Sequence, residues 1–120
     1  MRYMMLIYSK ELPEGPSPEE SEQIRAGHAA VMRAAKEEGV FQGAEPLMPS
    51  TTATTVRVQG DRLLLTDGPF AETKEQLAGY YILDCANLDE AIEWAARILT
   101  GCKGAEGCIE IRALPGLATA

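Results

Sequence analysis

An α+β fold, a ferredoxin-like sandwich with an inserted β-hairpin, is what the order of elements in this chain predicts. Three observations lead there. Tyr3 to Tyr8 and Tyr80 to Leu83 are apolar at every residue, the pattern of strands buried on both faces. Two amphipathic stretches, beginning at Pro18 and Leu88, each lie between strand-like segments, so the order is strand, helix, strands, then strand, helix, strand. Between those halves, Gly60-Asp61 joins two short β-rich runs as a hairpin turn. At 120 residues the chain is one domain, expected over residues 1–114 with a flexible tail at 115–120.

Arg2 to Ser9 reads as the first strand, and a charged loop punctuated by Pro and Gly follows from Lys10 to Pro16. Ser17-Pro18-Glu19-Glu20 then combines an N-cap serine, a proline at the first helical position and a glutamate three residues after the cap. That helix is expected to run to about Glu38 and stop at Gly39, with Ile24, His28, Val31 and Ala35 on one face. Val40 to Pro49 is a short strand or extended segment, closed by Pro46 and Pro49. Thr54 to Gln59 and Arg62 to Thr66 flank the hairpin turn, which pairs Val58 with Leu63 and Val56 with Leu65. A charged loop opened by Asp67-Gly68-Pro69-Phe70 leads into a strand over Leu77 to Asp84. Asn87 caps the second helix, whose buried stripe is expected at Leu88, Ile92, Ala95 and Leu99, and Gly101 ends it. Cys108 to Leu114 alternates Ile109 and Ile111 with Glu110 and Arg112, the pattern of a last strand.

Composition excludes several classes. Eleven Lys and Arg stand against eighteen Asp and Glu, a formal charge of −7, which argues against a nucleic-acid partner. The longest apolar run is far short of the roughly 20 residues a membrane helix needs, and charges follow it too closely for a signal peptide. A cytoplasmic protein without a membrane partner is the expectation. Cys85, Cys102 and Cys108 include no paired motif, and His28 is the one histidine, so no metal site is expected. Free thiols are the simple reading, with a redox pairing of Cys102 and Cys108 as the alternative. The glycines at 101, 104 and 107 follow a helix rather than opening one, no serine has a nucleophile-elbow context, and no cofactor is implied.

Two helices can cover only one face of such a sheet, yet two strands carry apolar side chains on both. The second face therefore needs a cover, and another copy of the same sheet supplies it, so a homodimer packed sheet to sheet about a two-fold axis is predicted.

Any imidazole chemistry must use His28, which would serve as a base near neutral pH if a pocket opens beside it. On the apolar stripe of a helix it can equally be a packed core residue. Asp67, at the end of the hairpin, would orient His28 or contact a ligand; its plain alternative is a turn carboxylate bonding local amides. Phe70, Lys74 and Tyr81 are the candidate ligand-binding residues. Phe70 is odd among the charges around it and is expected in the core or at the rim of a cleft. Tyr80 and Tyr81 face opposite ways, one toward the helices and the other toward a dimer partner.

The stretch from Asp67 to Glu75 (DGPFAETKE), followed by Gln76-Leu77-Ala78-Gly79-Tyr80-Tyr81, resembles the signature of the YCII-related, DGPF-motif bacterial proteins. The opening Tyr3 to Tyr8, Ala53 to Arg57 and Leu88 to Ala96 are similar to theirs, so the resemblance spans about residues 2 to 114. It implies a dimeric α/β-barrel subunit, and His28 matches the histidine of a histidine–aspartate pair proposed for that family. In shorter relatives the aspartate follows the second helix in an Asp-Pro-aromatic motif. Here Arg97 to Gly101 holds no carboxylate, so either Asp67 takes that place or the pair is absent. The resemblance implies a small-metabolite enzyme of lyase, elimination or isomerisation type, with His28 and Asp67 as acid/base pair. Its alternative is a non-catalytic accessory module with a regulatory protein partner, linked to extracytoplasmic-function sigma factors.

Overall fold

The computed structural model describes residues 1–101 and 107–116. Its elements are β1 (Arg2–Ser9), α1 (Pro18–Glu37), β2 (Phe41–Pro46), β3 (Thr54–Gln59), β4 (Arg62–Asp67), β5 (Gln76–Asp84), α2 (Leu88–Gly101) and β6 (Gly107–Ala113). A four-stranded antiparallel sheet runs in the order β2-β5-β1-β6, and β3 and β4 form a separate two-stranded sheet. This is the ferredoxin-like α+β architecture with a hairpin inserted between β2 and β5. Cys102, with its redox alternative, and residues 117–120 of the expected tail lie outside the described residues.

Local chemistry sets the helix ends. Ser17 Oγ accepts from the Glu20 amide at 3.1 Å and Pro18 occupies the first turn, satisfying and shaping an otherwise orphaned N-terminus. Gly39, at φ +75°, turns the chain out of α1 in the left-handed region where a Cβ is penalised. At α2, Asn87 Oδ1 accepts from the Glu90 amide at 2.9 Å while Glu90 Oε2 accepts from the Ala86 amide at 3.1 Å. That reciprocal arrangement is a variant of the capping box, with the glutamate reaching one residue further back.

The core lies between the helices and one face of the sheet. Tyr3 and Met5 of β1 point into it opposite Leu83 and Tyr81 of β5. Val31 and Ala35 come from α1, and Ala91, Trp94, Ala95 and Ile98 from α2. Burying a large apolar side chain of this kind contributes roughly 1.5–3 kcal/mol. The expected stripe on α2 is corrected here: only Ala95 of the four is buried, and Leu88, Ile92 and Leu99 are exposed. Trp94 is the largest side chain on the helix; with it turned inward, Ala91 and Ile98 follow at i−3 and i+4, and the aliphatic stripe one step away turns out.

The other face of the sheet carries Met4 and Leu6 of β1, paired with Ile82 and Tyr80 of β5, and all four are half-buried. Tyr81 is 2% exposed among the helices while Tyr80 lies on this open face, as strand alternation requires.

β2 is shorter than the expected extended segment. It ends at Pro46, and a single 3-10 turn at Ser50–Thr52 precedes the hairpin. The hairpin has the expected register, with Val56 opposite Leu65 and Val58 opposite Leu63. Gly60 is at φ +62° and Asp61 is not in the positive region, which fits a type II′ turn. Its root is closed by the Gly68 amide donating to Ala53 O at 2.7 Å and by Thr55 Oγ1 donating to Gly68 O at 2.8 Å. Beside it, the Glu11 carboxylate accepts from the Ser50 amide at 2.7 Å and from Ser50 Oγ at 2.6 Å, fastening the β1–α1 loop to the approach of the hairpin.

Candidate functional site

Half of His28 is buried on the inner side of α1, one turn before Val31. Across from it, β5 places Tyr81 on the helix-facing side of the sheet. Tyr81 Oη and His28 Nδ1 are 2.6 Å apart, and the two rings lie 5.7 Å centre to centre at 31°. Two tautomers satisfy this bond: the phenol donates to Nδ1, or Nδ1–H donates to the phenol oxygen. Either way, the contact fixes the imidazole's orientation. Burial pushes the His28 pKa below its usual value, because the charged ring would lose hydration. The imidazole is therefore neutral at pH 7. A neutral imidazole held by a hydroxyl is suited to accepting a proton from a bound acid and returning it.

Asp67 has a different location. It is the last residue of β4, exposed, opposite Thr54 on the small sheet. Phe70 follows in the next loop and is 80% exposed; Lys74, further along, is also exposed. Phe70 is thus not a core plug. It lines an open groove of about 440 Å³ at the root of the hairpin, together with Leu47, Met48, Pro49, Pro69 and Leu77. Gln76, also on this groove, donates to Thr73 Oγ1 at 3.1 Å and to Thr73 O at 3.3 Å, which shapes the loop that carries Lys74.

Of the five residues singled out from the sequence, the structure brings His28 and Tyr81 into contact, places Asp67 and Phe70 at the hairpin root, and leaves Lys74 exposed in the loop that follows. The contact between His28 and Tyr81 was not foreseen, although strand alternation had assigned one of the two tyrosines to the helix side. Leu47, Met48 and Pro49 were missed because an apolar stretch before a turn carries no chemical signature. Glu11 was one acid in a charged loop, and nothing local marks Ser50 as its partner.

A family model described as the YCII-related domain matches residues 1–114. An uncharacterized protein of Rhizobium meliloti (strain 1021), R00369, is 41% identical over 115 residues, which are 95% of this chain and 92% of that protein. Among solved structures, the chain is similar to 5-chloro-2-hydroxyhydroquinone dehydrochlorinase (TftG) from Burkholderia phenoliruptrix AC1100, in complex with 2,5-dihydroxybenzoquinone. That likeness covers 96% of this chain and 94% of that one, at 16% identity and a TM-score of 0.44.

Proposed function

The chain belongs to the YCII-related family, and on that premise we propose that it is a homodimeric protein that binds a small metabolite beside His28. In this reading His28 is a general acid/base held by Tyr81, in proton-abstraction chemistry of the lyase or isomerase type. The observation that carries it is the 2.6 Å bond between His28 Nδ1 and Tyr81 Oη. An oriented, neutral, half-buried imidazole is the state a base needs before substrate arrives, and such a base contributes typically 10²–10⁴-fold to rate. The hairpin root, with Asp67, and the loop that follows, with Lys74, offer the charged groups that a polar metabolite would meet. Support for the homodimer comes from the open sheet face, where Met4, Leu6, Tyr80 and Ile82 form a continuous apolar strip that neither helix covers.

The test is a thermal-shift screen of small metabolites on the wild type, His28→Ala, Tyr81→Phe and Asp67→Asn. A ligand at 100 times its dissociation constant stabilises by about 2.7 kcal/mol, several degrees for a domain of this size. A hit that His28→Ala abolishes supports the site, and product analysis on that ligand follows. Retention of every hit by His28→Ala defeats it. Asp67→Asn then shows whether the hairpin root belongs to the same site.

One observation favours a second reading. Phe70 is an aromatic ring 80% exposed in the DGPF loop, a placement suited to capture by a protein partner. A non-catalytic accessory module of that kind keeps its partner when His28 becomes Gln and loses it when Phe70 becomes Ser.

A further inference from the structure

The β3–β4 hairpin leaves one of its faces bare. Val56, Val58, Leu63 and Leu65 lie on it together, cross-paired, and each is between 57% and 72% exposed. Arg57, Arg62 and the turn's Asp61 do not interrupt this patch: Arg57 and Arg62 belong to the opposite face and Asp61 to the tip. An isolated two-stranded hairpin is marginal in water, and one that displays four large aliphatic side chains is an interaction surface by composition.

The dimensions of the chain point the same way. Its accessible surface is 8670 Å², whereas a compact monomer of its 13.0 kDa has about 6,300 Å². Its radius of gyration is 16.3 Å, against about 13.6 Å for a compact domain of this length. The surplus area is roughly 2,300 Å², within the range that one subunit contributes to an obligate dimer interface, about 1,000–2,500 Å². The chain thus carries about one interface's worth of uncovered surface.

We propose that the β3–β4 hairpin is a dimerisation arm whose apolar face seats on a second copy of this chain, beside the contact between the two open sheet faces. This rests on the homodimer proposed above and adds to it a surface of contact. A second copy is the occupant that the observations favour. The same chain presents a second apolar surface at Met4, Leu6, Tyr80 and Ile82, so one two-fold axis covers both surfaces on both copies at one-to-one stoichiometry. The formal charge of −7 opposes self-association in general; the four aliphatic residues of the hairpin face and the strip of Met4, Leu6, Tyr80 and Ile82 carry no charge themselves, while Glu45, Glu110 and Arg112 flank that strip on the same face of the sheet.

Analytical ultracentrifugation of the full chain tests this, on the wild type, Val58→Lys/Leu63→Lys and Leu6→Lys, with circular dichroism to confirm folding. The wild type is expected at twice the 13.0 kDa chain mass. The hairpin variant, altered only at exposed positions, is expected to keep its spectrum and to dimerise at least about 100-fold more weakly. A wild-type monomer at about 100 µM overturns both the arm and the dimer. An unchanged dissociation constant in the hairpin variant overturns the arm alone, and Leu6→Lys then reports whether the sheet faces pair without it. Should the double lysine variant lose its fold, hydrogen exchange on the wild type decides: hairpin amides that gain protection with protein concentration support the arm, and concentration-independent exchange overturns it.

Discussion

Tyr81 Oη stands 2.6 Å from His28 Nδ1, so a side chain of the sheet holds the chain's one imidazole across the helix–sheet boundary. Tyr81→Phe keeps the ring and deletes the hydroxyl. Loss of a hydrogen bond of this kind costs about 0.5–1.5 kcal/mol, which a urea titration resolves as a lower midpoint at constant slope. An unchanged midpoint would mean that the bond contributes nothing to stability.

The lowered pKa of His28 gives stability a pH dependence of defined sign. In the unfolded chain the ring takes up a proton near pH 6.5, whereas burial holds the folded ring neutral to lower pH. Below that point the unfolded state binds more protons, so stability falls as pH drops through and below about 6.5 and is full above it. His28→Gln should flatten the pH profile of the urea midpoint between pH 6.5 and 5. A profile equally steep in the variant would assign the effect to other groups.

The corrected face of α2 predicts opposite outcomes for neighbouring residues. Trp94 is 3% exposed and Ile92 is 49% exposed. Trp94→Ala should cost about 3–5 kcal/mol by leaving a cavity, and Ile92→Ala less than about 1 kcal/mol in the isolated chain. Thermal denaturation of the two variants would separate them by many degrees. Equal losses would restore the stripe first read from the sequence.

These residues also show what the sequence could and could not reveal. Strand periodicity is local and of period two, so it followed directly that Tyr80 and Tyr81 face opposite ways, though not which of them faces the helices, and so did the register of a hairpin whose turn is two residues long. The helix caps at Ser17 and Asn87 were legible for the same reason, since each acts within four residues. The face of α2 was harder because Trp94 and Ile92 lie two positions apart, and both Leu88-Ile92-Ala95-Leu99 and Ala91-Trp94-Ala95-Ile98 satisfy a helical period. Packing volume chose between them. Contacts between residues distant in sequence, such as His28 with Tyr81 and Glu11 with Ser50, exist only once the sheet order is set.

The cysteines make a chemical prediction. Cys85 is 1% exposed, and its thiol pKa is raised, first by burial and then by Glu90 and Asp84, so it is a poor nucleophile. Cys108 is exposed on β6. Thiol labelling under native conditions, followed by peptide mapping, should modify Cys108 within minutes and Cys85 only after denaturant is added. Rapid labelling of Cys85 in the folded protein would show that the core opens far more often than its packing suggests.

The closed root of the hairpin has a consequence for how this chain can vary. Ala53 and Gly68 are joined by a 2.7 Å backbone bond, so the segment leaves the main body and returns to it at one point. An excursion with its ends already together is a cassette. Trimming or lengthening it changes loop-closure entropy only slowly, by roughly 0.6 kcal/mol per doubling of length, and leaves the four-stranded sheet with its order intact. The body can therefore keep one fold while the cassette is exchanged, and grafting the hairpin between the corresponding strands of another protein with this sheet order would carry its exposed apolar face with it.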